Sequence, residues 1–163
     1  MSTITTKEMR KVQKFISWDE WPKELEKTTR CLHYALGIPV ADPSNVLIKK
    51  ILNGDLLENI EKIFQELEFK YHKISSTKDL KDSEYGIVIY DYLYKEYKNV
   101  FGCKWYEDTR EVHFVRIESG IWTHKPGTYP TSITSIGNIR SNILEMDKVE
   151  VFPTAYFAIQ KPQ

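Results

Sequence analysis

The stretch EVHFVRIESGIWTHK, residues 111–125, carries the clearest structural pattern in the chain. Successive side chains of an extended strand point to opposite faces of a sheet. Its first half therefore divides into two groups, Val112, Phe114 and Arg116 on one face and Glu111, His113, Val115 and Ile117 on the other. Glu-Ser-Gly at 118–120 is typical of a tight turn. The stretch thus predicts a β-hairpin over 111–124 with a short return strand.

Further segments with β-branched and aromatic residues predict more strands. They are YHKIS (71–75), YGIVIYDYLY (85–94), VEVFP (149–153) and AYFAIQK (155–161). Between the second of these and the hairpin lies LYKEYKNVFGCKWYEDTR, residues 93–110, which we expect to form a long charged loop.

The first part of the chain has helical signals. TTRCLHYALG (28–37) predicts a short helix over about 29–36, capped by Thr28 or Thr29 and ended by Gly37. Ser17 and Glu20 have the spacing of a capping box. The spacing of apolar residues in LLENIEKIFQELEF (56–69) predicts a longer helix. Helices followed by an antiparallel sheet predict one α+β domain over 1–163, helical over about 17–68 and sheet over about 69–163.

Composition limits the classes of partner. The 163 residues include 23 lysines and arginines and 23 aspartates and glutamates, so net charge gives no attraction to nucleic acid or to an anionic membrane surface. No apolar run is long enough for a membrane span, and the first residues lack the pattern of a secretory signal. We therefore expect cytoplasmic synthesis, with free thiols and with delivery outside the cell by a specialised system left open.

Cys31 is the candidate nucleophile. A cysteine in the first turn of a helix lies near free backbone N–H groups, which favour the thiolate. A base must also lie within reach of the sulfur. His33 is two positions away and projects from a different side of the helix, whereas His113 and His124 face each other across the predicted hairpin. The residues thus predict a Cys31–His113–His124 site.

CLHYALG followed by EVHFVRIESGIWTHKPG resembles papain-like cysteine peptidases and amidases of the NlpC/P60 type from bacteria and phages. The resemblance implies a papain-like fold, with a nucleophile helix packed on an antiparallel sheet. It implies that Cys31 attacks an amide carbonyl, that His113 accepts the thiol proton and that His124 orients His113. It also implies a peptide or protein substrate, peptidoglycan peptides included, with no cofactor, and a toxin or effector among the roles.

The four tryptophans are candidates to line a substrate groove: Trp18, Trp21, Trp105 and Trp122. Packing in the core is the alternative for each of them. A zinc site at Cys31, His33, His113 and His124 is a rival, but no CxxC or HxxxH spacing supports it, so we predict no metal.

A non-catalytic protein-binding module on the same fold, such as an inhibitor or a counter-defence protein, is the second hypothesis. A Cys31 sulfur within about 4 Å of a ring nitrogen of His113, in an open groove, favours catalysis. A sulfur buried among apolar residues, with His113 pointing elsewhere, favours the binding module.

Overall fold

A computed structural model describes residues 5–12, 15–25, 29–40, 46–125, 134–135, 144–146 and 149–162. Its α-helices are α1 (Thr6–Val12), α2 (Cys31–Leu36), α3 (Val46–Ile51) and α4 (Leu56–Glu66). Its strands are β1 (Tyr71–Ile74), β2 (Glu84–Val100), β3 (Cys103–Glu118), β4 (Ile121–His124), β5 (Thr134–Ser135), β6 (Leu144–Met146), β7 (Val149–Val151) and β8 (Ala155–Gln160). Short 3₁₀ turns lie at Trp18–Glu20, Lys23–Leu25 and Thr77–Asp79.

Six strands form one antiparallel sheet in the order β1-β8-β2-β3-β4-β5, and β6 and β7 form a separate pair. Four helices precede every strand along the described chain. The prediction of an α+β fold with helices first and an antiparallel sheet after is therefore confirmed. The helices begin at Thr6, earlier than the predicted start near residue 17.

The hairpin at 111–124 is confirmed. β3 pairs with β4 from Val115 opposite His124 to Glu118 opposite Ile121. Ser119 and Gly120 form the turn, and both have a positive φ, of 50° and 77°. Such angles at both central residues match the twist of the two strands that the turn joins.

The expected charged loop at 93–110 is wrong. These residues form the outer part of a long β2–β3 hairpin, which pairs without interruption from Gly86 opposite Ile117 to Val100 opposite Cys103. Phe101 and Gly102 make its two-residue turn. The segment carries charged residues on both faces because both faces are exposed. It therefore lacks the apolar alternation that identifies a half-buried strand.

The helices cover one face of the main sheet. Leu32 of α2, Ile48 of α3 and Phe64 of α4 belong to the same buried cluster as Val112 and Phe114 of β3. A second cluster lies on the other face and includes Val88, Tyr90, Val115, Ile117 and Val151. The two groups of β3 residues that the sequence separated by alternation thus enter two different apolar clusters.

The ends of α2 fit the prediction in part. The helix spans Cys31–Leu36, and Gly37 ends it in the left-handed conformation with a φ of 77°. The N-cap is Arg30, whose side chain makes no capping hydrogen bond, so the predicted cap at Thr28 or Thr29 is wrong. Thr29 instead donates to the carbonyl of Val40. Thr28 lies outside the described residues.

The predicted capping box at Ser17 is also wrong. Only a short 3₁₀ turn follows Ser17, without a side-chain cap. The Ser17 hydroxyl instead donates to Oε1 of Glu118 at 2.5 Å. A long-range partner on β3 has replaced the local one.

Candidate active site

His113 and His124 form a hydrogen-bonded pair. Because Val115 is the residue opposite His124, His113 lies diagonally across from it on the same face of the sheet. Nε2 of His113 lies 2.9 Å from Nδ1 of His124, and the two rings are nearly perpendicular. The prediction that these rings face each other across the hairpin is confirmed.

This hydrogen bond constrains the tautomers. When Nε2–H of His113 donates to His124, Nδ1 of His113 carries a lone pair. Burial lowers the pKa of His113 to about 3, and the neighbouring His124 adds to this shift. Burial also lowers the pKa of His124 to about 4. Both rings are therefore neutral at pH 7. In the tautomer in which His113 is the donor of this hydrogen bond, it is able to accept a proton through Nδ1.

Cys31 is the first residue of α2, as predicted, but its side chain is enclosed. It is 7% exposed and belongs to the apolar cluster on the helix side of the sheet. Burial raises the pKa of its thiol to about 11. Hydrogen bonds from the backbone N–H groups of Phe114 and Leu32 act in the opposite direction and do not offset burial. The resting side chain is thus a neutral thiol.

The contact with Phe114 defines where the sulfur lies. The carbonyl of Ile89 bonds to Thr154 on the β8 side, so Ile89 and the residue opposite it, Phe114, do not bond to each other. The N–H of Phe114 therefore points away from β2, toward the β4 side. The pairing of β3 with β4 stops at Val115, which lies opposite His124, and so does not reach Phe114. The sulfur thus lies against β3 just past the end of β4.

The structure brings two of the three predicted residues together. Cys31 contacts the backbone of the residue next to His113, but its sulfur lies on the helix side, whereas the His113 ring lies on the opposite face. Among the described contacts, no hydrogen bond joins the sulfur to either ring. By the criterion set from the sequence, an enclosed sulfur of this kind favours the binding module.

Two residues that sequence reasoning did not assign hold α2 against the hairpin. The hydroxyl of Tyr34 is hydrogen-bonded to Thr123 of β4, and Nη1 of Arg116 donates to the carbonyl of Tyr34 at 3.2 Å. Arg116 is fully buried, with its guanidinium 4.4 Å from the centre of the Tyr34 ring. The sequence contains a signal for the buried position of Arg116, because strand alternation places this charged residue on the same face as Val112 and Phe114.

The four tryptophans do not line one groove. Trp21 is buried edge-on against Tyr34, so it belongs to the core. Trp105 lies on β3 eight positions from His113, which is about 26 Å along an extended strand, so its assignment to the groove is wrong. Trp122 packs with the second apolar cluster, on the face that carries the histidine pair. Trp18 is half-buried.

A cavity of about 360 Å³ lies at the other end of β4 from the histidine pair. Its lining includes Leu80, Ile117 and Trp122, with Lys81 and Glu84 at polar positions, and includes neither His113 nor His124. Within the described ranges, no three side chains of histidine, cysteine, aspartate or glutamate group together as metal ligands. None of the described helices has the length and apolar character needed to cross a membrane.

No protein-family model matches the chain, and neither a curated protein nor a solved structure is significantly similar to it.

Proposed function

We propose that the chain is a thiol hydrolase or acyltransferase that acts on a peptide, isopeptide or related amide through Cys31, His113 and His124. The observation that supports this most is the His113–His124 hydrogen bond, because it uses Nε2 and leaves Nδ1 of His113 for a second partner. The Cys31 sulfur already contacts the backbone N–H of the next residue, Phe114. A papain-like fold of the NlpC/P60 type is part of the same proposal.

In the proposed reaction His113 is a general base. For this step the Cys31 sulfur must leave the apolar cluster and reach Nδ1 of His113 around the edge of β3 just past the end of β4. The sulfur then attacks the substrate carbonyl while its proton passes to that nitrogen. His113 then gives the proton to the leaving amine as the C–N bond breaks, which leaves a thioester on Cys31. Water or another acceptor releases the acyl group. The backbone N–H of Cys31, at the start of α2, stabilises the oxyanion.

The two pKa shifts determine the form of this chemistry. A thiol pKa of about 11 and an imidazole pKa of about 3 do not allow a stable thiolate–imidazolium pair in the resting protein. Proton transfer must therefore accompany attack. Acylation then proceeds from the neutral thiol of Cys31 and the neutral imidazole of His113. Its rate does not depend on the small fraction of Cys31 that is thiolate.

Acetylation by p-nitrophenyl acetate tests this proposal, because a small activated ester reaches a sulfur of low exposure. The thioester on Cys31 is located by peptide mapping and its rate of formation is followed from pH 5 to 8. We expect a rate that is nearly independent of pH in this range, since His113 stays neutral throughout it. In His113→Gln we expect a rate at least about 100-fold lower at pH 6, rising tenfold per pH unit as thiolate forms.

Cys103→Ser is the matched control, because Cys103 is the other cysteine of the chain and its free thiol is exposed. It should leave the acetylation of Cys31 unchanged. A Cys31 rate that rises with pH in the wild type as it does in His113→Gln would contradict a general-base role. Acetylation of Cys31 that appears only in denaturant would reject the thiol chemistry altogether.

A non-catalytic protein-binding module is the second candidate. It is favoured by the enclosure of the Cys31 sulfur, which is the environment of a structural cysteine. Large apolar side chains exposed on the β2–β3 hairpin also favour it, because protein interfaces are rich in such residues. This candidate predicts that p-nitrophenyl acetate does not acetylate Cys31 in the native protein.

A further inference from the structure

The outer part of the β2–β3 hairpin extends beyond the rest of the sheet. β2 pairs with β8 only as far as Ile89, and β3 pairs with β4 only from Val115 onward. In the described part of the chain, residues 91–111 therefore form a two-stranded arm, about 30 Å long from base to turn. An isolated two-stranded hairpin is marginally stable in water, so such an arm gains stability from a partner.

The arm exposes large apolar side chains on both of its faces. Leu93, Tyr97 and Tyr106 share one face by strand alternation and are 62%, 51% and 67% exposed, and the two tyrosine rings lie 5.4 Å apart. Val100 and Trp105 lie on the other face and are also exposed. This density of exposed apolar side chains is unusual for a monomer surface.

Phe101, at the tip, is the most informative of these residues. It is fully exposed and has a φ of 50°, in the left-handed region that asparagine or glycine normally occupies in such a turn. A phenylalanine there strains the backbone of the monomer and buries nothing within it. Contact with another molecule would bury this ring.

The charges of the arm indicate what that molecule is. The arm has four basic and five acidic residues, so it has no strong attraction for nucleic acid or for an anionic membrane. Many of these charges are paired within the arm, as in the two 3.0 Å hydrogen bonds between Arg110 and Asp91. Lys95 stands directly opposite Asp108 in the register. A surface of both signs with an aromatic centre complements itself, as a two-fold interface requires.

We propose that the arm is a dimerisation element whose occupant is the arm of a second copy of this chain. The two arms pack through the faces that carry Leu93, Tyr97 and Tyr106. They run antiparallel, because the helices cover this same face of each sheet and would collide if the arms were parallel. Each Phe101 then packs on the body of the other copy. The exposed parts of Leu93, Tyr97, Tyr106 and Phe101 offer on the order of 600 Å² per copy, somewhat less than one partner's share of a standard interface.

Sedimentation velocity over a range of protein concentrations tests this proposal on the full chain. We expect a monomer–dimer equilibrium, with the dissociation constant raised at least about tenfold in the double variant Tyr97→Ser, Tyr106→Ser. Phe101→Asn is the sharper variant, because asparagine suits the turn. It should weaken the dimer while leaving the monomer folded and its arm at least as stable.

Phe152→Ser is the matched control, since Phe152 is also a largely exposed apolar residue but lies outside the arm. It should leave the dissociation constant unchanged. A monomer at every concentration would overturn the proposal. A dimer that survives both arm variants, or one that Phe152→Ser dissociates while the arm variants do not, would overturn it too.

Discussion

Arg116→Ala is expected to lower the free energy of unfolding by about 3–5 kcal/mol. The guanidinium is fully buried against the rings of Tyr34 and Phe15, and its Nη2 lies 3.8 Å from Oε2 of Glu118. Removing it leaves the Glu118 carboxylate buried without its cation, and also opens a cavity between α2 and β3. Both effects destabilise the folded state. Urea unfolding followed by tryptophan fluorescence measures the change.

Arg110→Ala is the matched control for this prediction. Arg110 is on the same strand and the same face of the sheet, and it also pairs with a carboxylate, but its pair with Asp91 is exposed. Exposed ion pairs contribute less than about 1 kcal/mol, so this variant should be nearly as stable as the wild type. The double variant Arg116→Ala, Glu118→Gln should recover part of the loss. Equal effects of the two alanine variants would contradict the proposed role of Arg116.

The sequence predicted those parts of the site that depend on local pattern. Strand alternation placed His113 and Arg116 on opposite faces of β3, and the hairpin turn brought His113 and His124 together. Gly37 ended α2 where the sequence predicted. These features follow from the period of a strand or from a positive φ, which neighbouring residues determine.

Features that depend on distant residues were not predictable. Ser17 has a capping sequence, but Glu118, 101 positions away, binds its hydroxyl. The environment of Cys31 depends on where β4 ends. The sulfur accepts a hydrogen bond from the backbone N–H of Phe114, which a longer β4 would have paired with instead. The sequence predicts a loop where the arm lies, and it therefore predicts Trp105 near the site. A loop would fold back toward the sheet, whereas a strand carries Trp105 away from it.

Acid is expected to destabilise the fold through the histidine pair, by about 4 kcal/mol between pH 7 and pH 5. The pKa values of His113 and His124 are lowered by burial to about 3 and about 4 in the folded state. An unfolded chain binds these protons near the ordinary histidine value of about 6.5. The stabilisation is therefore complete above about pH 6.5 and is lost as the pH falls toward the folded-state values, since only the unfolded state gains protons in that interval.

Urea unfolding at several pH values measures this difference, and a double variant isolates it. His113→Gln with His124→Asn keeps hydrogen-bonding groups at both positions but removes both titrating rings. Its free energy of unfolding should depend on pH less strongly than that of the wild type, by the same 4 kcal/mol or so over this interval. His72→Gln, which removes a half-exposed histidine of β1, is the control for loss of a histidine outside the pair. If the double variant and the wild type lose stability equally on acidification, then the two rings already bind protons in the folded state. The neutral His113 that the proposed mechanism requires would then be absent at pH 5.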